Sequence, residues 1–86
     1  MTTIYKYALS IGDQQLVFMP QGAKTLCVQV QDGHICLWCE VVSVNPPVPR
    51  TVRVFGTGHP IWTEAHSYIG TVQQGGFVWH IYISDE

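Results

Sequence analysis

The sequence predicts an all-β domain of about seven antiparallel strands, arranged as a compact sheet, a sandwich or a partly open barrel, with at most one short helical turn. Three observations carry that expectation. Asp32-Gly33 and Gly75-Gly76 are two-residue hairpin turns, each set between runs of alternating side chains. No stretch of the length of a helix has apolar residues at helical spacing. Further turn formers recur at short intervals, at Gly12-Asp13, Pro20-Gln21-Gly22 and Asn45-Pro46-Pro47.

Residues 3–9 form the first candidate strand, and a run at 14–19 the second, closed by Pro20, which has no amide to give to a ladder. A two-residue loop at Asp32-Gly33 pairs Val30 with Ile35, Val28 with Leu37 and Leu26 with Cys39, so one face is apolar throughout. The other face then holds Gln29 beside Cys36, Cys27 beside Trp38 and Thr25 beside Glu40; a slip of one residue destroys this sorting. After the turn at Asn45-Pro46-Pro47, residues 50–55 read as a strand in which Val52 and Val54 alternate with Arg53 and Phe55. Pro60 opens the one stretch, residues 60–66, that tolerates a helical turn. Gly75-Gly76 pairs Val72 with Trp79, Gly70 with Ile81 and Tyr68 with Ile83 on one face, and Thr71 with His80 and Ile69 with Tyr82 on the other. Both faces of this last hairpin are apolar or aromatic, as in a strand covered on both sides.

Eighty-six residues make a single domain spanning 1–86, which as a compact monomer exposes roughly 5,000 Å². Charged residues are only 12% of the chain, about half the usual quarter. So few charges coat an outside poorly, which leans the expectation toward a homo-oligomer, a dimer or tetramer. The net charge is −2, and Lys6, Lys24, Arg50 and Arg53 are the only lysines and arginines. That count does not suit a long nucleic acid, but one arginine suffices for a small anion. The amino-terminal segment lacks the basic stretch and long apolar run of a signal peptide, and no apolar run approaches a membrane span, so a cytoplasmic protein with no membrane partner is expected. An odd number of cysteines, three, fits reduced thiols better than a disulfide framework.

Cys36 and Cys39 have C-x-x-C spacing, but within a strand positions three apart face opposite ways, so the two sulfurs read as buried apolar groups. The histidines at 34, 59, 66 and 80 form no metal-ligand motif; His59 and His66 lie near one loop and can meet, but without a third partner. Neither a metal nor another cofactor is expected, nor a catalytic residue, since no nucleophile elbow is present and carboxylates are scarce. The face that carries Trp38, Glu40, Arg53, Phe55, His80 and Tyr82, if their strands are neighbours, mixes rings with hydrogen-bonding groups. A base can stack on such rings while Arg53 holds a phosphate, and the same residues equally suit a subunit interface. Next comes Gly56-Thr57-Gly58-His59-Pro60-Ile61-Trp62, where two glycines allow close backbone approach, with a hydroxyl, an imidazole and an indole alongside. Gly-x-Gly is also the signature of an ordinary tight turn or bulge. The candidate ligand-binding set is therefore Trp38, Arg53, Phe55, Gly56, Thr57, Gly58, His59, Trp62 and His80.

The stretches Ile4-Tyr5-Lys6-Tyr7, Met19-Pro20-Gln21-Gly22-Ala23-Lys24, Val28-Gln29-Val30-Gln31, Leu37-Trp38, the GTGHPI loop from Gly56 to Ile61, Tyr68-Ile69-Gly70-Thr71 and Val78-Trp79-His80 together resemble a family of short, mostly uncharacterised phage proteins. The resemblance spans nearly the whole chain, and the loop is its most specific part. In size, β-rich build and lack of a catalytic constellation the chain is similar to phage sponge proteins of the anti-CBASS or anti-Thoeris type, which sequester cyclic-nucleotide or ADP-ribose-type immune signals. The resemblance implies a non-enzymatic, oligomeric counter-defence protein that binds a small signalling nucleotide without cleaving it. A protein-binding inhibitor of a host defence complex such as a CRISPR effector, a minor virion component and a nucleotide-degrading enzyme are the rival expectations.

Overall fold

The computed structural model describes residues 1–85 as seven strands. They are β1 (Thr2–Leu9), β2 (Gln15–Pro20), β3 (Lys24–Gln31), β4 (His34–Val42), β5 (Pro47–Gly56), β6 (His66–Gln74) and β7 (Phe77–Ser84). Every pairing is antiparallel, and the strands form two sheets, ordered β1-β4-β3 and β2-β5-β7-β6. Of the three architectures the sequence leaves open, the chain adopts the sandwich. Its Cα extents of 39 × 30 × 16 Å fit two layers spaced about 10 Å apart, and its accessible surface is 5228 Å².

Strand alternation sorts the chain between core and outside. On β4 the inward residues Ile35, Leu37, Cys39 and Val41 are at most 1% exposed, and they meet Met19, Val52, Val54, Val72, Ile81 and Ile83 from the opposite sheet. Burial of Cys39 pushes its thiol above the usual range, against the opposing pull of a Thr25 hydrogen bond and the Arg50 charge. Arg50 itself follows the same inward parity as Val52 and Val54 and is 8% exposed. Its guanidinium donates from Nε (3.0 Å) and Nη2 (2.6 Å) to the Ser84 carbonyl, while the Ser84 hydroxyl accepts from the Thr51 amide at 2.9 Å. A buried charge is tolerable only with such partners, so this arginine clamps the end of β7 onto β5.

Both hairpins follow the expected register near their turns and depart from it farther out. Val30 pairs with Ile35 and Val28 with Leu37, but a bulge at Leu26 puts Thr25 opposite Cys39 and Lys24 opposite Glu40. Likewise Val72 pairs with Trp79 and Gly70 with Ile81, but a bulge at Ile69 puts Tyr68 opposite Tyr82 and Ser67 opposite Ile83. The expected pairs Leu26 with Cys39, Thr25 with Glu40, Tyr68 with Ile83 and Ile69 with Tyr82 are therefore corrected. A bulge bends its strand and strengthens its twist, and β3 and β6 are the two edges that pack against each other across the sandwich. Gly70 lies at that contact: a Cβ there would come within 2.4 Å of Val28 Cγ1. The two hairpin turns are tied as well, since Gln74 Nε2 donates to the Gly33 carbonyl at 2.7 Å and Gln74 Oε1 accepts from Trp79 Nε1.

Two further expectations change. β5 begins at Pro47, inside the expected turn, because its partner β7 reaches only residues 52–56, leaving Pro47 and Pro49 on a locally open edge where no amide is required. Residues 60–66 form no helical turn. The His66 amide instead donates to the Thr63 carbonyl at 3.0 Å, closing a tight turn in which Ala65 takes a φ of 55°.

Candidate functional site

The outer face of the four-stranded sheet is set by register. Arg53 lies beside Tyr82 and Tyr82 beside Tyr68; one row along, Phe55 lies beside His80 and His80 beside Thr71. Phe55 and Tyr82 meet edge to face with centroids 5.7 Å apart, and Tyr82 and Tyr68 do the same at 5.5 Å. Over the Phe55 end folds the 56–62 loop.

The two glycines of that loop have different causes. Gly58 takes a φ of 86°, and the His59 amide donates to the Gly56 carbonyl at 3.2 Å, so residues 56–59 are a tight turn that needs glycine at its third position. Gly56 is bare because the His59 ring lies against it; a Cβ there would stand 2.8 Å from His59 Cε1. The close approach that the sequence assigns to a ligand is thus made at Gly56 by His59.

Arg53, Phe55, His59, Pro60 and Trp62 converge with Asp13 on one open hollow of about 280 Å³, near the lower bound of ligand pockets, about 300 Å³. Two further hollows adjoin the loop, of about 260 Å³ along Phe55, Thr57, His80 and Tyr82 and of about 420 Å³ along Thr57, Phe77 and Trp79; His59 lines all three. Phe55 is only 6% exposed, so it forms a wall rather than an open stacking platform, whereas Trp62, 64% exposed, is the free ring. Arg53 is oriented from behind. His66 Nδ1 lies 2.7 Å from the Glu64 carbonyl, which can only accept, so the proton is on Nδ1 and Nε2 accepts from Arg53 Nε at 3.4 Å. That contact uses Nε, and Arg53 also lines the hollow.

His80 is held at both ring nitrogens, Nε2 by the Thr57 hydroxyl at 2.8 Å and Nδ1 by the Thr71 hydroxyl at 3.0 Å, and Thr71 in turn bonds the Tyr68 hydroxyl. A hydroxyl beside an imidazole has the geometry of an activated nucleophile. Here the third member is a neutral hydroxyl, with no carboxylate to stabilise an imidazolium. The chain fixes the Thr57 end of the loop to β7 and β6.

Trp38 is not part of this site. It stands on β4, in the other sheet, so its outer face lies across the whole core from Arg53, Phe55 and His80. There it lines a separate apolar hollow of about 260 Å³ with Ile4, Leu26, Cys27 and Gln29. Glu40 shares that side. Alternation places a residue inside or outside a sheet but says nothing about which sheet, and this is where the expected face of Trp38, Glu40, Arg53, Phe55, His80 and Tyr82 divides. His59 and His66 likewise have separate partners, Gly56 and Arg53. Among the described residues no three metal-ligating side chains converge.

Asp13, His66, Tyr68 and Thr71 join the site without having been singled out for it. The Thr71 to His80 pairing is visible in the hairpin register, while the Ile69 bulge hides the true position of Tyr68. Asp13 lies in a loop, where strand periodicity carries no information, and His66, the first residue of β6, lies beyond the Ile69 bulge that shifts that strand's register. Searches of curated proteins and of solved structures find no match to this chain. A family model described as a domain of unknown function, DUF7352, matches residues 1–86, and the chain belongs to that family.

Proposed function

We propose that this protein binds a small phosphorylated, base-bearing ligand without cleaving it. The observation that carries the reading is the convergence of Arg53, His59 and Trp62 on one hollow walled by Phe55. Arg53 supplies paired donors for phosphate, Trp62 closes over the base, and His59 and Asp13 bond sugar or phosphate-ester groups at the rim. One acidic neighbour beside one arginine suits a ligand of low charge, such as a cyclic nucleotide or cyclic ADP-ribose species, over a triphosphate. The neutral third member of the Thr57, His80 and Thr71 arrangement supports retention of the ligand rather than turnover. With the resemblance to phage sponge proteins, the biological reading is counter-defence: an immune signalling nucleotide is held in the host cytoplasm below the concentration its receptor needs.

Thermal melts against cyclic dinucleotides, cyclic trinucleotides and cyclic ADP-ribose species test this, because a ligand that binds only the folded chain raises Tm by mass action. The expected result is a rise with one class, lost in Arg53→Ala, with the nucleotide recovered intact after long incubation. Flat melts across all three classes would sink the proposal, and a cleaved product would replace it with an enzyme. A second reading, a protein-binding inhibitor, draws on Leu16 and Phe18, both 61% exposed on the outside of β2. Stoichiometric capture of one host protein, lost in Phe18→Asp and kept in Arg53→Ala, would favour it.

A further inference from the structure

The sandwich has four strand edges, and three of them are guarded. β3 and β6 each carry a bulge, at Leu26 and Ile69, and pack against each other. β2 is short, six residues, and ends in Pro20. β1 differs on every count: eight residues, no proline, and an unbroken register with β4 from Thr2 opposite Val42 to Leu9 opposite Ile35. Its outer edge presents a regular row of amides and carbonyls, a template that only water or another extended strand can satisfy. The strand is also poorly covered on its two faces, with Ile4 57% and Tyr5 40% exposed.

We propose that β1 pairs antiparallel with β1 of a second copy of this chain, joining two three-stranded sheets into one six-stranded sheet across a two-fold axis. Such an axis is isologous, and it runs perpendicular to the sheet, so it must relate a residue to its own equivalent and keep inward residues beside inward ones. Centring it on Tyr5 sets Tyr5 against Tyr5, Thr3 against Tyr7 and Ile4 against Lys6. Centring it on Lys6 would oppose two like charges, which is destabilising. The Tyr5 register also carries charge complementarity. Ile4 lies beside Glu40, so Lys6 of the second copy falls in line with Glu40, two strands away, about 10 Å between Cα atoms. Lys6 already reaches across β4 within its own chain, where Nζ donates to Gln31 Oε1 on β3 at 2.9 Å. No β1 residue lines the three hollows around residues 56–62, so pairing leaves both ligand sites open.

Sedimentation equilibrium of the intact chain reads the pairing directly. The expected mass is twice 9.6 kDa, and Tyr5→Lys, which opposes two new charges at the axis, raises the dimer dissociation constant at least about tenfold. Far-UV circular dichroism checks that the variant is folded. A second variant, Tyr5→Cys, is oxidised and digested, and a disulfide between two copies of position 5 is expected in the peptide map. A chain that sediments as a monomer at hundred-micromolar concentration overturns the proposal, as does a dimer that Tyr5→Lys leaves intact and Tyr5→Cys fails to bridge. Because neither readout uses a nucleotide, failure here is distinct from failure of the ligand site.

Discussion

The two outer faces of the sandwich differ both in how many rings they carry, Phe55, Tyr68, His80 and Tyr82 on one and Trp38 on the other, and in how their side chains engage one another. On the four-stranded sheet, Tyr68, Thr71, His80 and Thr57 form one hydrogen-bonded chain, and His66 orients Arg53. On the three-stranded sheet, Trp38, Ile4 and Leu26 border an apolar hollow whose neighbouring polar contact is the Lys6 to Gln31 bond. A ring beside an apolar hollow, as at Trp38, therefore does not by itself mark a site. What separates the faces is whether polar groups are held at fixed positions around the rings, which is what a ligand needs in order to be recognised rather than merely covered.

The contrast depends on the two sheets keeping their places, and the severest way to break it is at their junction. Gly70→Ala is expected to cost about 2 to 3 kcal/mol, because the new methyl overlaps Val28, which is itself buried and branched. Urea unfolding measures it, and adding Val28→Ala is expected to recover part of the loss. The next test separates the two arginines of β5. Arg50→Met is expected to cost about 1 to 3 kcal/mol through its lost Ser84 contacts, whereas Arg53→Met changes stability by less than about 0.5 kcal/mol and removes the nucleotide-induced Tm shift. Trp62→Ala is expected to weaken nucleotide binding about tenfold and Trp38→Ala to leave it unchanged; equal losses would erase the distinction between the faces. The smallest effect is on pH. Burial raises the Cys39 thiol in the folded chain, so the unfolded chain ionises first as pH climbs, near the ordinary thiol value of 9.0. The folded form then binds more protons, and its stability falls with rising pH through that alkaline window. Melts between neutral and alkaline pH are expected to show the fall, reduced in Cys39→Ala.

Local chemistry made much of this fold readable. Asp32-Gly33 and Gly75-Gly76 mark both hairpins, and alternation around them assigns Ile35, Leu37, Val52, Val54 and Ile81 to the inside. The bulges at Leu26 and Ile69 escape that reasoning, since they answer to the approach of β3 to β6, a contact between residues far apart in sequence. The Gly56 to Trp62 loop was legible as a candidate site from its composition, but the cause of its first glycine lies in the His59 ring. Arg50 and Arg53 differ in role only through parity, inward for one and outward for the other. Trp38 was misplaced because parity does not carry across a change of sheet.

Tying the two hairpin turns through Gln74 has a consequence for how the chain is assembled. The β3–β4 and β6–β7 ribbons close from neighbouring residues, whereas β1 must find β4 and β2 must find β5 over long intervening segments. Loop closure of that length slows folding toward the millisecond-to-second regime of β-sandwiches. Synthesis from the amino terminus thus releases β1 and β2 well before their mates exist, and the uncharged run from Leu16 to Met19 keeps an open backbone until its partners Val48 to Thr51 are made. A chaperone-depleted translation system should collect nascent chains stalled at that stage.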